Sequence, residues 1–229
     1  MNQTAFRLGL ALLFVISLAA VLGAHDSPEY SGEDKLPDMR IDTNGAEIID
    51  KDAYVPCTVS VDSSEDSFTD ASAEIKGRGN STWGQPKKPY SLRFDQKTDL
   101  FGNGYAKTWV LLANYLDKSM IRNYLAFSAA EALELDYTTS AQFVNLYLNG
   151  EYLGVYLVAE KIQIGKDRVD IGVPDDFLGN AEDFSFILEM DSHAAESGEE
   201  DADFFTLGGR YYVIKDPDCT PGQVETAKR

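Results

Sequence analysis

The most regular pattern along the chain is an alternation of apolar and polar residues that predicts β-strands. From Tyr90 to Phe94 the two kinds alternate one by one, which predicts a half-buried strand. Two apolar runs flank Asn149-Gly150, the residue pair that most strongly indicates a tight hairpin. Residues 109–113 fit a short strand or the start of a helix. Further strands are predicted at 54–61, 73–76, 142–148, 152–160, 184–190 and 210–215.

The remaining pattern predicts one α+β domain with an antiparallel sheet and one main helix. Residues 117–135 carry a broad apolar face without internal Gly or Pro, as a helix requires, and Asp117 can cap its N-terminus. Residues 25–44 are mostly polar and predict a disordered linker. The domain is therefore expected at 45–217, and the last stretch, 218–229, reads as a tail without hydrophobic periodicity.

The N-terminus has the features of an export signal. Arg7 precedes an apolar run from Leu8 to Ala24, and small residues close that run before polar ones follow. Residues 1–24 are therefore predicted to be a signal peptide, which implies a secreted or cell-surface location outside the cytoplasm. An uncleaved membrane anchor is the alternative, because the run reaches the lower limit for a membrane span.

The charge balance restricts the partners. The 229 residues carry a formal net charge of −18, which argues against nucleic acid or an anionic membrane as the partner. An acidic surface attracts basic peptides instead, although it also serves solubility. Residues 192–203 form an acidic loop between two of the predicted strands.

Residues that build many common active sites are scarce. The only histidines are His25 and His193, so neither a Ser-His-Asp triad nor a zinc site with usable ligand spacing is indicated. The two cysteines, Cys57 and Cys219, fit a disulfide in an exported chain and equally two buried thiols.

A glycine-rich stretch at 77–84 is the best candidate for chemistry. It contains Arg78, and Lys87 and Lys88 follow it, so flexible backbone and cations lie together as in polyphosphate sites. The P-loop pattern is not met, because Gln85 stands where that pattern needs lysine. The alternative interpretation is a β-turn followed by an exposed basic strand.

Several stretches around these residues, in order and spacing, resemble the CotH (spore-coat protein H) family of atypical protein kinases. The resemblance covers roughly residues 45–217. The matching segments are 75–83, 87–94, 109–114, Asp117, 121–123, 148–156, Glu160 and 168–169.

The resemblance implies the nucleotide-binding lobe of a kinase-like fold, with ATP and Mg²⁺ as cofactors and protein Ser/Thr as the acceptor. Lys87 and Lys88 are then the candidates for phosphate contact, with Arg78 assisting, although each also fits a solvated surface cation. Glu160 would pair with a lysine, contact ribose or be structural. The implied cofactor-binding residues are Arg78, Asn80, Ser81, Lys87, Lys88 and Glu160.

The resemblance also implies a polar network that supports the site, formed by Asn114, Arg122 and Asn123 near Asp117. It places the catalytic and metal-binding aspartates in a Trp-Asp-Phe-Asp-like segment, which this sequence does not contain. We therefore expect a chain truncated before those aspartates, with unknown catalytic residues and no assigned metal ligand. The expected partner is a protein substrate, basic and rich in Ser/Thr. The alternative is a non-catalytic surface or spore-coat protein with a structural or binding role.

Overall fold

Seven strands close into a barrel that forms the main body of the protein. The structure is a computed structural model and describes residues 35–64, 67–171, 185–191, 204–216 and 221–228. The strands of the barrel are β1 (Asp38–Asp42), β2 (Val55–Asp62), β3 (Phe68–Gly77), β4 (Tyr90–Asp99), β5 (Tyr105–Leu112), β6 (Ala141–Leu148) and β7 (Glu151–Glu160).

The first strand closes this barrel, because β1 pairs antiparallel with β2 and parallel with β6. The order around the barrel is β1-β2-β3-β4-β5-β7-β6. The Asn149 side chain accepts a hydrogen bond of 2.8 Å from the N–H of Thr43, which fastens the end of β1 to the hairpin turn. The sequence prediction of a linker through residue 44 is wrong for β1, because the pairing that orders this strand involves residues far along the chain.

Local patterns predicted the central strands correctly. The alternation in β4 is confirmed, since Tyr90, Leu92 and Phe94 are all buried. The hairpin of β6 and β7 is also confirmed, and its turn residues Asn149 and Gly150 have φ values of 50° and 82°, as a tight hairpin requires. The largest fully buried side chains include Met39, Ile41, Ile75, Trp109, Leu111, Leu146 and Tyr156.

The main helix, α1 (Arg122–Ala132), is shorter than the predicted helix at 117–135. Met120 and Glu134 have φ values of 62° and 53°, and these left-handed conformations interrupt the helix on both sides. No residue of α1 is fully buried, and the Leu125 side chain is 51% exposed. The helix therefore lies on the barrel without entering its core.

A second, smaller sheet follows along the chain. Its elements are β8 (Ile187–Met190), β9 (Phe204–Leu207), β10 (Arg210–Asp216) and the short helix α2 (Pro221–Ala227). The three strands are antiparallel in the order β8-β10-β9, and α2 packs Val224 against Phe205 and Ile214. β8 and β10 match the predicted strands, whereas β9 and the helix within the predicted tail were not foreseen.

The class prediction of α+β is confirmed, since the structure is mostly sheet with two short helices. The predicted signal peptide at 1–24 and the acidic loop at 192–203 lie outside the described residues. Cys57 is buried with a free thiol, and burial raises its pKa to about 12, whereas Cys219 is also outside the described part. Within the described ranges, none of the helices has the length and apolar character needed to cross a membrane.

Candidate functional site

A cleft of about 230 Å³ opens between the glycine-rich loop and the turn that precedes α1. One wall comes from the loop and the approach to β4, and the other comes from the end of β5 and the residues after it. The polar and charged lining residues include Arg78, Thr82, Lys87, Asn114, Asp117 and Asn123. The fold therefore brings part of the predicted phosphate site into one concavity.

The glycines of the loop make room for the loop's own side chains. A Cβ atom on Gly77 would lie 2.5 Å from the ring of Trp83, and one on Gly79 would lie 2.0 Å from Oγ1 of Thr82. The N–H groups of Gly77 and Arg78 donate to backbone carbonyls at 2.9 and 3.2 Å. The first two N–H groups of the loop are therefore used within the fold, and Arg78 and Thr82 are the residues of 77–84 that line the cleft.

Arg78 contributes an unneutralised charge to this cleft. Its guanidinium is partly buried and makes no side-chain hydrogen bond or ion pair with any described residue. Burial alone lowers the pKa of Arg78. A partly buried cation without a partner is unfavourable for the protein on its own, so this position favours an anionic ligand.

Lys87 is the second cation of the cleft. Its Nζ donates to the carbonyl oxygen of Val155 at 2.5 Å and lies 4.3 Å from the ring centroid of Tyr156. Within the described structure, no carboxylate pairs with this ammonium, and burial lowers the pKa of Lys87. Lys87 and Arg78, hereafter the cleft cations, thus share one cleft and lack acidic partners.

The neighbouring predicted residues lie elsewhere. Lys88 does not line the cleft, because its Nζ donates to the carbonyl oxygen of Trp83 at 2.7 Å and lies 5.1 Å from the Trp83 ring. Asn80 and Ser81 are exposed at the tip of the loop and are also outside the lining. Roles for these three residues in binding a cofactor stay predictions.

Glu160 lies in a buried cluster at the far end of β7 and does not line the cleft. Its Oε1 forms an ion pair of 2.8 Å with Nη1 of Arg168, and its Oε2 accepts from the hydroxyl of Tyr137 at 2.9 Å. The Arg168 guanidinium lies 4.6 Å from the Trp109 ring centroid. Sequence reasoning missed this pair, although Arg168 was among the residues that resembled the family. Contact of Glu160 with ribose stays a prediction.

Asp117 is the one carboxylate among the residues that line the cleft, and protein groups already occupy both of its oxygens. Oδ1 accepts from the N–H and hydroxyl of Ser119 at 3.0 and 2.7 Å, and Oδ2 accepts from the N–H of Arg122 at 2.9 Å. The hydroxyl of Ser119 and the N–H of Arg122 are the main causes that lower the pKa of Asp117. The predicted N-cap at Asp117 is wrong, because α1 begins later and its N-cap is Ile121, which makes no side-chain capping bond. Asp117 still holds the start of α1 through the N–H of Arg122.

Asn114 and Asn123 supply the polar network that the resemblance implied. Asn114 donates through Nδ2 to the carbonyl of Met120 at 3.0 Å and accepts through Oδ1 from Nδ2 of Asn123 at 3.0 Å. These bonds hold the turn before α1 against the cleft.

The described residues of the cleft do not fit a protein-held Mg²⁺ ion. Asp117 is the one carboxylate of the described lining, and its three accepted hydrogen bonds leave about one of its four lone-pair sites, on Oδ2, whereas a cage held by protein alone needs about six oxygen ligands. In the described part of the chain, no group of three or more His, Cys, Asp or Glu side chains is arranged to hold a metal. We therefore derive no chemical step through a metal.

Comparison with known proteins identifies the family of this α+β domain. A family model described as CotH kinase protein matches residues 75–204, more than half of the chain, including the glycine-rich loop and α1. The chain belongs to the CotH kinase protein family, which confirms the resemblance seen in the sequence. None of the curated proteins matches it. Membership indicates kinase-like chemistry in general, with ATP and a metal.

Proposed function

We propose that this chain binds ATP in the cleft and is part of an exported protein Ser/Thr kinase of the CotH type. The observation that carries the proposal is the pair of cleft cations, which are partly buried, lack acidic partners among the described residues and line the same concavity. A polyphosphate would compensate both charges through charge-assisted hydrogen bonds, which are among the strongest in proteins.

The size of the cleft indicates which part of ATP it would hold. Its volume of about 230 Å³ lies below the range of roughly 300–1,000 Å³ that is usual for whole small-molecule sites. The phosphates would occupy the cleft, and the nucleoside would extend over its rim. There Tyr115 and Leu116 are 40% and 60% exposed and offer apolar surface for the base.

The order of elements supports a kinase-like lobe by analogy. A glycine-rich loop, a strand preceded by lysines, a helix and a hairpin follow one another as in the nucleotide-binding lobe of kinases. Phosphoryl transfer depends mainly on positioning and on neutralisation of charge. The cleft cations would supply neutralisation, and the catalytic residues stay unassigned because Asp117 is engaged.

Export and a basic protein substrate complete the proposal. The apolar run from Leu8 to Ala24 supports export, and family membership is consistent with an extracytoplasmic location. The net charge of −18 would favour a basic, Ser/Thr-rich substrate protein.

The second candidate function is a non-catalytic surface or spore-coat protein that keeps the fold to bind a partner. It is favoured by Asp117, the one carboxylate of the described lining, because hydrogen bonds within the protein engage both of its oxygens. It is also favoured by Lys88, whose ammonium binds the Trp83 carbonyl outside the cleft.

Titration calorimetry of the full chain with ATP tests the proposal. We expect Lys87→Met to weaken ATP binding by roughly 10- to 100-fold, because one charge-assisted hydrogen bond to a ligand contributes about 1.5–3 kcal/mol. Lys107→Met removes an exposed lysine from β5 and serves as the charge-matched control, with wild-type affinity expected. No binding of ATP by the wild-type protein would overturn the kinase proposal and leave the partner-binding role.

A further inference from the structure

Among the described residues, the ammonium of Lys87 is held by neutral groups alone. The Val155 carbonyl accepts one of its three N–H bonds at 2.5 Å, and the ring of Tyr156 lies 4.3 Å away. A carboxylate partner would have fixed the ammonium and cancelled its charge as well. The carbonyl and the ring fix it and leave both the positive charge and further N–H groups for a ligand.

Tyr156 itself is rigidly placed. It is 1% exposed, its ring stacks on that of Tyr90 with centroids 6.3 Å apart, and its hydroxyl donates to the carbonyl oxygen of Lys88 at 2.8 Å. The ring therefore contacts the head of Lys87, and the hydroxyl fixes the backbone of the next residue. One side chain therefore contacts both the ammonium of Lys87 and the backbone of the residue that follows it.

The strand pairing explains why this arrangement can form. The ladder between β5 and β7 ends with Leu112 opposite Leu157, so the earlier part of β7 has no β5 neighbour. The Val155 carbonyl and the Tyr156 hydroxyl lie in that part, and the chain around Lys87 takes the place of the missing neighbour.

We propose that Tyr156 is a positioning residue that holds the ammonium of Lys87 ready for the phosphates of ATP. The inference rests on the proposed function, because it assigns a role within the same cleft. A ligand that meets a preformed cation does not have to order a flexible lysine, and affinity rises accordingly. The electron-rich face of the ring also stabilises the charge that burial disfavours.

A double-mutant cycle on ATP affinity tests this role. Tyr156→Leu should weaken ATP binding on the order of tenfold in the wild-type background, within the range of a desolvated cation–π contact. In the Lys87→Met background the same substitution should have no further effect, because Tyr156 acts through Lys87. An equal loss in both backgrounds would show a general packing role and overturn the inference.

A second measurement avoids the risk that Tyr156→Leu does not fold. Phe and its fluorinated analogues at position 156 keep the ring shape and progressively weaken its negative face. ATP affinity should fall stepwise from the value of Tyr156→Phe with each added fluorine, while the same series at Tyr90 should leave ATP affinity constant. A flat series at both positions overturns the positioning role, whereas failure of the wild-type protein to bind ATP overturns the proposed function beneath it.

Discussion

Two regions of this protein bury charge in opposite ways. Glu160 and Arg168, the buried pair, neutralise each other at 2.8 Å, and their side chains are 5% and 2% exposed. The cleft cations have no acidic partner in the described structure and face a concavity. The two charges of the buried pair compensate each other inside the protein, whereas the cleft cations need a charged group from outside. The difference separates charges that serve the fold from charges that are available to a ligand.

The buried pair is itself only partly satisfied. Nη1 of Arg168 also donates to the carbonyl of Asn103 at 2.9 Å, but its Nε and Nη2 are buried without a hydrogen-bond partner in the described structure. Because the Arg168 guanidinium already lacks hydrogen-bond partners, losing its counter-charge as well should be costly. Substitution of Glu160 should therefore lower the stability of the protein more than the other substitutions considered.

The largest expected effect is on stability. Glu160→Ala leaves Arg168 as an uncompensated buried charge, and we expect the free energy of unfolding to fall by about 3–5 kcal/mol. Urea unfolding followed by circular dichroism measures it. The matched control is Glu74→Ala, which breaks an exposed pair with Arg93 and should cost about 1 kcal/mol or less. Equal losses of unfolding free energy for Glu160→Ala and Glu74→Ala would contradict the distinction between a buried and an exposed ion pair.

Arg78→Met should weaken ATP binding without lowering stability, in contrast to the loss of stability expected for Glu160→Ala. We expect ATP affinity to fall by roughly 10- to 100-fold, because a charge-assisted bond to phosphate is lost. The free energy of unfolding should stay unchanged or rise slightly, because the fold no longer carries a desolvated, unpartnered cation. Calorimetry and urea unfolding of the same variant provide both values. A loss of stability as large as that of Glu160→Ala would show that Arg78 serves the fold.

Alkaline pH should distinguish Lys87 from an ordinary lysine. Because burial lowers its pKa, Lys87 should lose its proton below pH 10.5, and ATP affinity should fall severalfold as pH approaches that value. In the same window the unfolded chain binds the proton more strongly, so the contribution of Lys87 to folding stability should rise with pH. Lys87→Arg, which stays charged, is the control for binding and should show a flatter profile.

The smallest expected effect concerns the adjacent lysine. Lys88→Met should change ATP affinity by less than about twofold, because the Lys88 ammonium is directed to the carbonyl and ring of Trp83. A loss equal to that of Lys87→Met, measured by the same calorimetry, would mean that both lysines reach the phosphates and that the structural distinction between them has no functional meaning.

Local signals in the sequence were enough for some elements. The one-by-one alternation of β4 and the Asn149-Gly150 turn depend on neighbouring residues, and both were predicted correctly. Pairings between distant residues could not be read in this way, which is why β1 was missed. The length of α1 was misjudged because a left-handed Met120 is compatible with an uninterrupted apolar pattern.

The site shows the same limit. The sequence grouped Arg78, Lys87 and Lys88 by proximity, but consecutive residues before a strand can turn in opposite directions, and only the fold separates Lys87 from Lys88. Glu160 was selected by resemblance, and its buried partner, Arg168, lies in a loop that no local periodicity links to it.

The parallel contact between β1 and β6 has a consequence for how the chain folds. The paired residues are more than a hundred positions apart in the chain, so closing the barrel costs much loop entropy. This pairing should therefore form late and slowly during folding. Until then, β2 and β6 each present an unpaired edge that can recruit strands from other copies. Deletion of residues up to Asp42 would leave both edges permanently unpaired. We would then expect the protein to aggregate while its hydrophobic core is still folded.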